Sequence, residues 1–169
     1  AEAARQALVE RIGTPPPGLV SVENAYWVQF NGESHVRHAR ALADGAGPPT
    51  ERSGGVVVSA HIDADRGATE ILVSAPDRNG LFADLCGALT ANGANVAAAH
   101  LYESGDGRVL DVFDVQDSKG AALGTDHPAA LERTLKDLRV AAAGGEGVRR
   151  PGKAPAPTRR LSAFIISPS

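Results

Sequence analysis

The residues whose types and spacing could do chemistry fall into a few groups. The first is Asp77-Arg78-Asn79-Gly80, a polar run between the β-rich segment Thr69–Ala75 and the apolar Leu81-Phe82. N–H groups in the first turn of a helix lack intrahelical partners, so a loop that feeds a helix start suits a small anion or zwitterion. Asp77 is placed to cap that turn, and Gly80 lets a ligand or partner chain come close to the backbone. A second group is His61-Ile62-Asp63-Ala64-Asp65. Strand alternation would put His61, Asp63 and Asp65 on one side, as metal ligands require, although a turn rich in aspartate is the commoner use of such a segment. In the third group, His35 and His38 stand three apart, close enough to share a metal on one helix face. No nearby carboxylate or cysteine completes a set, so a solvated or docking helix is expected. Cys86 lies beside an apolar helix face and reads as a small core residue rather than a nucleophile. No acid/base pair, nucleophile or metal set converges. The chain is expected to bind a small molecule and not to transform it, with no catalytic residue, no metal site and no cofactor of its own.

These groups need elements to hold them. Thr69–Ala75 predicts a strand, and Leu81–Asn92 a helix with Leu81, Leu85, Ala88 and Leu89 on one face and Phe82 widening it. Asn92-Gly93 ends the helix, and Asn95–Tyr102 follows as a second strand. Gly/Asp chemistry at 103–107 turns the chain into a third strand, Arg108–Gln116. There Asp111, Phe113 and Val115 share one face, while Leu110, Val112 and Asp114 share the other. Thr125-Asp126-His127-Pro128 opens a second helix, with an Asp or Thr cap and proline in the first turn; Leu131, Leu135 and Leu138 form its stripe. A last strand is expected at Leu161–Ser167, after a Gly/Pro/basic linker at 146–157.

Upstream, Ala1–Ile12 reads as a short helix broken by Pro15-Pro16-Pro17. Tyr26, Trp27, Val28 and Phe30 form an aromatic cluster with two open readings: a docking surface, or a patch that packs on the domain's own flank. Glu33–Leu42 carries His35, Arg37, His38 and Arg40 as a charged helix. Residues 43–55 read as a linker, and Val56–Ile62 as an added strand that pairs as a hairpin with Thr69–Ala75. The division expected is 1–54, a tail of a preceding domain with its aromatic segment, and 55–169, one domain with its core at 68–167 and the added strand at 55–62.

Bulk properties exclude several classes. The 169 residues carry a net charge of −3, and no long basic face marks a nucleic-acid partner. No apolar run approaches the ~20 residues that span a bilayer, and no signal-peptide pattern opens the chain. The single cysteine leaves no internal disulfide, so a cytoplasmic setting is the default expectation. A start at alanine fits a processed terminus or a piece of a longer protein.

The order β-α-β-β-α-β between Thr69 and Ser167 is that of an α+β, ferredoxin-like fold. Both helices are expected on one face, with Leu81, Leu85 and Leu89 beside Leu131, Leu135 and Leu138. The other face, with Val96, His100, Leu110 and Val112, would be left partly bare for a second module, in a dimer or a tandem arrangement.

The run from Ala68 to Phe82 (ATEILVSAPDRNGLF) and the run from Gly87 to Val96 (GALTANGANV) resemble the opening, helix end and second strand of an ACT domain. With Gly107–Asp117 (GRVLDVFDVQD), Tyr26–Phe30 (YWVQF) and Arg37–Arg40 (RHAR), the chain is similar to the first of two C-terminal ACT domains in the bifunctional PII uridylyltransferase/uridylyl-removing family. The segment before it resembles the connection from that family's HD domain. The resemblance implies a regulatory module for nitrogen metabolism that senses an amino acid, glutamine, with PII protein as the substrate of the parent enzyme. The parent's nucleotidyltransferase and hydrolase centres, and the magnesium expected there, would lie upstream. Carried over by position, the ligand loop is Asp77, Arg78, Asn79, Gly80, Leu81 and Phe82, and the facing strand offers Ala94, Asn95 and Val96. The family usually has proline where this chain has Asn79, a change that loosens the loop and adds a donor. The alternative is an ACT-type binding or dimerisation module of another amino-acid-metabolism enzyme, or a stand-alone ACT protein.

Overall fold

The most β-rich segments become the centre of the sheet. In a computed structural model, which describes residues 1–45 and 55–144 and the backbone of 164–165, Ala68–Pro76 (β2) pairs antiparallel with Arg108–Gln116 (β4) from Thr69↔Val115 to Pro76↔Arg108. Asn95–Glu103 (β3) pairs with β4 on its far side, and Val57–Asp63 (β1) forms the expected hairpin with β2. Because β1 occupies the edge beside β2, the last strand takes the other edge. Phe164–Ile165 (β5) lies against β3, giving the order β1-β2-β4-β3-β5. The expected linker at 146–157, most of that at 43–55 and the rest of the 161–167 strand lie outside the described residues.

Leu81–Ala91 (α5) and Pro128–Ala142 (α6) pack on one face of this antiparallel sheet, as expected of the ferredoxin-like order. Leu81, Leu85, Leu89, Leu131 and Leu138 join Ile71, Val73, Phe113 and Val115 in one cluster. Arg139 Nη2 of α6 donates to the Val58 carbonyl of β1 at 3.3 Å. Two details differ from expectation. The start of α6 has no side-chain cap; His127 holds the cap position and Pro128 the first turn. Val96 packs on the helix face, because a bulge between Val96 and Ala98 shifts the register by one residue, and period-2 alternation cannot survive an inserted residue. Ahead of α6, the buried Gly124 has φ +92°, and a Cβ there would stand 2.8 Å from that of Leu131.

The opposite face is not bare. Glu2–Ile12 (α1), Pro17–Val20 (α2), Asn24–Gln29 (α3) and Gly32–Gly45 (α4) bring Leu8, Leu19, Val22, Tyr26, Trp27, Val36, Ala39 and Leu42 against Val57, Leu72, Tyr102, Leu110 and Val112. The chain's own N-terminal region supplies the cover that a second module was expected to give. The reason is apolar area: β2 is buried along every residue but Pro76, so both of its faces need a layer. The aromatic segment therefore packs on the domain's own flank, with Tyr26 and Trp27 buried and Val28 exposed. The helix bearing His35 and His38 is a core element and not a solvated one, since both imidazoles are buried.

Candidate functional site

The polar loop sits where β2 hands over to α5. Asp77 N–H donates to the Gly107 carbonyl at 3.1 Å, which fixes the strand end beside the β3–β4 turn. Gly80 takes the N-cap position at φ +82°, a left-handed conformation that suits glycine. No side chain caps α5, so Asp77 does not play the capping role expected of it. Arg78 is the structural pin. Its Nη2 donates to the Ala141 carbonyl at 2.6 Å, and its Nη1 meets Asp84 Oδ2 at 2.9 Å. The loop is thereby tied both to the first turn of α5 and to the last carbonyls of α6, where a cation also suits the helix dipole. Leu81 is buried and Phe82 stacks on Phe113, with centroids 6.2 Å apart. Only Asp77 and Asn79 present exposed side chains here.

Ala94, Asn95 and Val96 lie at the other end of the helix. Ala94 N–H donates to the Leu89 carbonyl at 3.0 Å, and Asn95 Nδ2 donates to the Asp117 carbonyl at 3.3 Å. Pro76 pairs with Arg108 at one end of β4, whereas Asn95 pairs with Gln116 at the other. An 11-residue helix separates the two groups, a length of about 16 Å at 1.5 Å per residue. The nine residues therefore do not line one pocket within a single chain. Of them, Leu81, Phe82, Ala94 and Val96 are packed to differing degrees, Arg78 is a clamp, and Asp77, Asn79 and Asn95 remain exposed.

The segment His61–Asp65 runs from the end of β1 into the turn expected of it. Asp63 Oδ1 accepts from the Arg66 N–H at 3.1 Å, the turn role that aspartate commonly takes. Among the described residues no three of His, Cys, Asp and Glu come together to hold an ion.

A different polar cluster escaped sequence reasoning. Glu70, on β2, is buried at 5 % exposure. Its Oε1 accepts from His38 Nε2 at 2.5 Å and from Arg37 Nη2 at 3.0 Å, and His38 Nδ1 lies 2.7 Å from the Tyr26 hydroxyl. An ionised carboxylate only accepts, so His38 donates through Nε2, and its Nδ1 completes the relay by sharing a hydrogen bond with the Tyr26 hydroxyl, donating when the ring is charged and accepting when it is neutral. Burial alone would raise the Glu70 pKa; the His38 hydrogen bond and charge, then those of Arg37, outweigh it and hold the carboxyl at about 2. Burial, then the charge of His38, lowers His35 to about 4. The available signal was one charge, Glu70, within an apolar strand, since a buried carboxylate requires partners.

Residues 69–127 match the ACT domain family. The chain is 39% identical over 166 residues to the bifunctional uridylyltransferase/uridylyl-removing enzyme of Phenylobacterium zucineum, covering 98% of this chain and 17% of that protein. It is 36% identical over 169 residues to the enzyme of the same description from Caulobacter vibrioides, with 100% and 17% covered. The Rhodospirillum rubrum counterpart is 33% identical over 143 residues, with 82% and 15% covered. The chain spans about a sixth of the length of the curated relatives it matches. No solved structure matches it significantly.

Proposed function

The chain carries an ACT domain, set in a segment shared with bifunctional uridylyltransferase/uridylyl-removing enzymes, and from that premise we propose that it senses glutamine for an enzyme of that kind. The observation that carries this reading is the β2–α5 junction: a helix start with no side-chain cap, a left-handed glycine, and exposed Asp77 and Asn79 beside it. The ligand carboxylate meets first-turn N–H groups near Gly80 and Leu81. Its ammonium pairs with Asp77. Asn95 stands at the far end of α5, so it reads the side-chain amide from a second copy of the chain, and a following ACT domain would use its own residue at that place. The complete site is thus shared between two ACT modules, from a second copy or a following domain. Closing it shifts their relative position and biases the distant active sites.

In this reading the chain performs no chemistry. Transfer of uridylyl groups to and from PII protein, with magnesium, belongs to other parts of a cytoplasmic parent enzyme. Isothermal calorimetry of this chain, and of the whole enzyme, with glutamine, glutamate and alanine tests the proposal. Saturable heat for glutamine, diminished by Gly80→Ala and by Asn95→Ala, is the expected result. Silence from both proteins up to millimolar glutamine would overturn it.

A further inference from the structure

The β3–β4 turn stands between the polar loop and the N-terminal layer and is bonded to both. On the loop side, the β2–β4 ladder ends at Pro76↔Arg108, and the Asp77 N–H then donates to the Gly107 carbonyl at 3.1 Å. Pairing thus runs on from the sheet into the loop. On the other side, Val22 bridges antiparallel to Ser104. The Glu23 N–H donates to the Glu103 carbonyl at 3.1 Å, and the Gly105 N–H donates to the Ser21 carbonyl at 3.1 Å. The Ser21 and Ser104 hydroxyls lie 2.7 Å apart.

The turn itself is closely tied. The Ser104 N–H donates to the Arg108 carbonyl at 2.9 Å and the Gly107 N–H to the Ser104 carbonyl at 3.3 Å. Asp106 Oδ1 accepts from Ser104 Oγ at 2.6 Å and from the Arg108 N–H at 3.3 Å. Backbone groups paired in this way leave little freedom to move one end of the turn without the other. Val22, in turn, is where the layer is fastened. Its side chain is 1% exposed, and its carbonyl accepts from Arg5 Nη2 of α1 at 3.1 Å and from the Trp27 indole N–H of α3 at 3.3 Å. A shift of the segment 21–23 therefore carries α1 and α3 with it.

We propose that the β3–β4 turn couples the polar loop to the N-terminal layer, so that a ligand held at the loop tightens the fastening of that layer to the sheet. The ligand's identity rests on the glutamine reading above; the mechanical link belongs to the fold alone. A ligand that binds the ordered loop better than the open one favours the state in which the Asp77–Gly107 bond is made. The turn passes that preference to Ser21, Val22 and Glu23. By linkage the reverse also holds, and loosening the fastening weakens the ligand by the same factor. Catalytic domains placed upstream would feel the ligand through this layer.

Amide hydrogen exchange of the whole chain, read by NMR, tests the link with and without ligand. In the ligand-free arm, Val22→Ala should speed exchange of the Glu23 and Gly105 amides and, across the turn, of the Asp77 amide by about fivefold. The Phe113 amide, in the middle of β4, should keep its rate, which separates coupling from general destabilisation. Ser21→Ala is the second variant should Val22→Ala not fold. Faster exchange at Gly105 with Asp77 unchanged would overturn the proposal. In the ligand arm, saturating glutamine should slow the Glu23 and Gly105 amides of the wild-type chain, and the variant should bind glutamine about fivefold more weakly. Glutamine bound with wild-type affinity by the variant would overturn the coupling and leave the glutamine reading intact. Absence of glutamine binding would overturn that reading alone, and the Asp77 rate in the ligand-free arm would then decide the coupling.

Discussion

Beneath α5 and α6 the sheet meets leucines; beneath α1–α4 it meets Tyr26, Trp27, two histidines and a buried carboxylate. The helix face is aliphatic, with a single stacked ring pair, Phe82 on Phe113. The N-terminal face is aromatic, with Tyr26 edge-on to Trp27 at 5.1 Å and to Tyr102 at 5.6 Å, and it encloses the Tyr26–His38–Glu70–Arg37 relay. Apolar packing is non-directional and tolerates exchange of similar volumes. A buried relay is directional, and it fixes one geometry only while every member is present. The first face can build a domain. The second specifies how an upstream segment must sit on it.

The largest effect expected from breaking this contrast is on the aliphatic side. Phe113→Ala removes a fully buried ring and should cost about 3–5 kcal/mol in urea unfolding. On the other side, Glu70→Ala strands His38 and Arg37 and should cost roughly 3 kcal/mol. Glu70 and Phe113 stand one register position apart on the paired strands β2 and β4 but face opposite layers, so the double variant reads whether a change on one face is felt on the other. Strong coupling in that cycle would mean the two faces do not act independently.

The contrast extends to pH. Glu70 has a folded pKa lowered to about 2 from 4.5, so its stabilisation is complete above pH 4.5 and is lost as pH falls toward 2. His35 has a folded pKa lowered to about 4 from 6.5. The unfolded chain then binds more protons in that interval, and stability should fall as pH drops from 6.5 toward 4. Burial lowers His100 in the same direction. Urea midpoints measured between pH 7 and 3 should therefore decline in two overlapping steps. His35→Phe should flatten the upper step and Glu70→Gln the lower. A wild-type profile that is level from pH 7 to 4.5 would contradict this account.

The same asymmetry explains what the sequence disclosed. The helix face was legible because Leu81, Leu85 and Leu89 and then Leu131 and Leu138 repeat at helical spacing, and because Thr69–Ala75 has no competing period. The polar loop was legible as a loop, but not as a clamp. Arg78 reaches Ala141, 63 residues away, and no local pattern encodes that meeting. Val96 was assigned to the wrong face because a bulge leaves no trace in the alternation of short apolar residues such as Ala97, Ala98 and Ala99. The N-terminal layer was hidden for a related reason: His35, Arg37 and His38 look like a solvated stripe until Glu70 and Tyr26 are placed against them. Which charges are buried is a tertiary fact.

The smallest expected effect discriminates most finely, because it compares two tyrosines within one cluster. The Tyr26 hydroxyl lies 2.7 Å from His38 Nδ1, whereas the Tyr102 hydroxyl is buried with no hydrogen-bond partner among the described residues. Both rings are almost wholly buried, at 0% and 1% exposure, so replacing either by phenylalanine keeps the volume and removes only a hydroxyl. Tyr26→Phe leaves His38 Nδ1 unsatisfied and should cost about 1–2 kcal/mol. Tyr102→Phe discards a polar atom that gains nothing from the fold, and should be neutral or stabilising by up to about 1 kcal/mol. The opposite ranking, with Tyr102→Phe the more damaging change, would show that the relay does not bind the N-terminal helices to β2 and that ring packing alone does so.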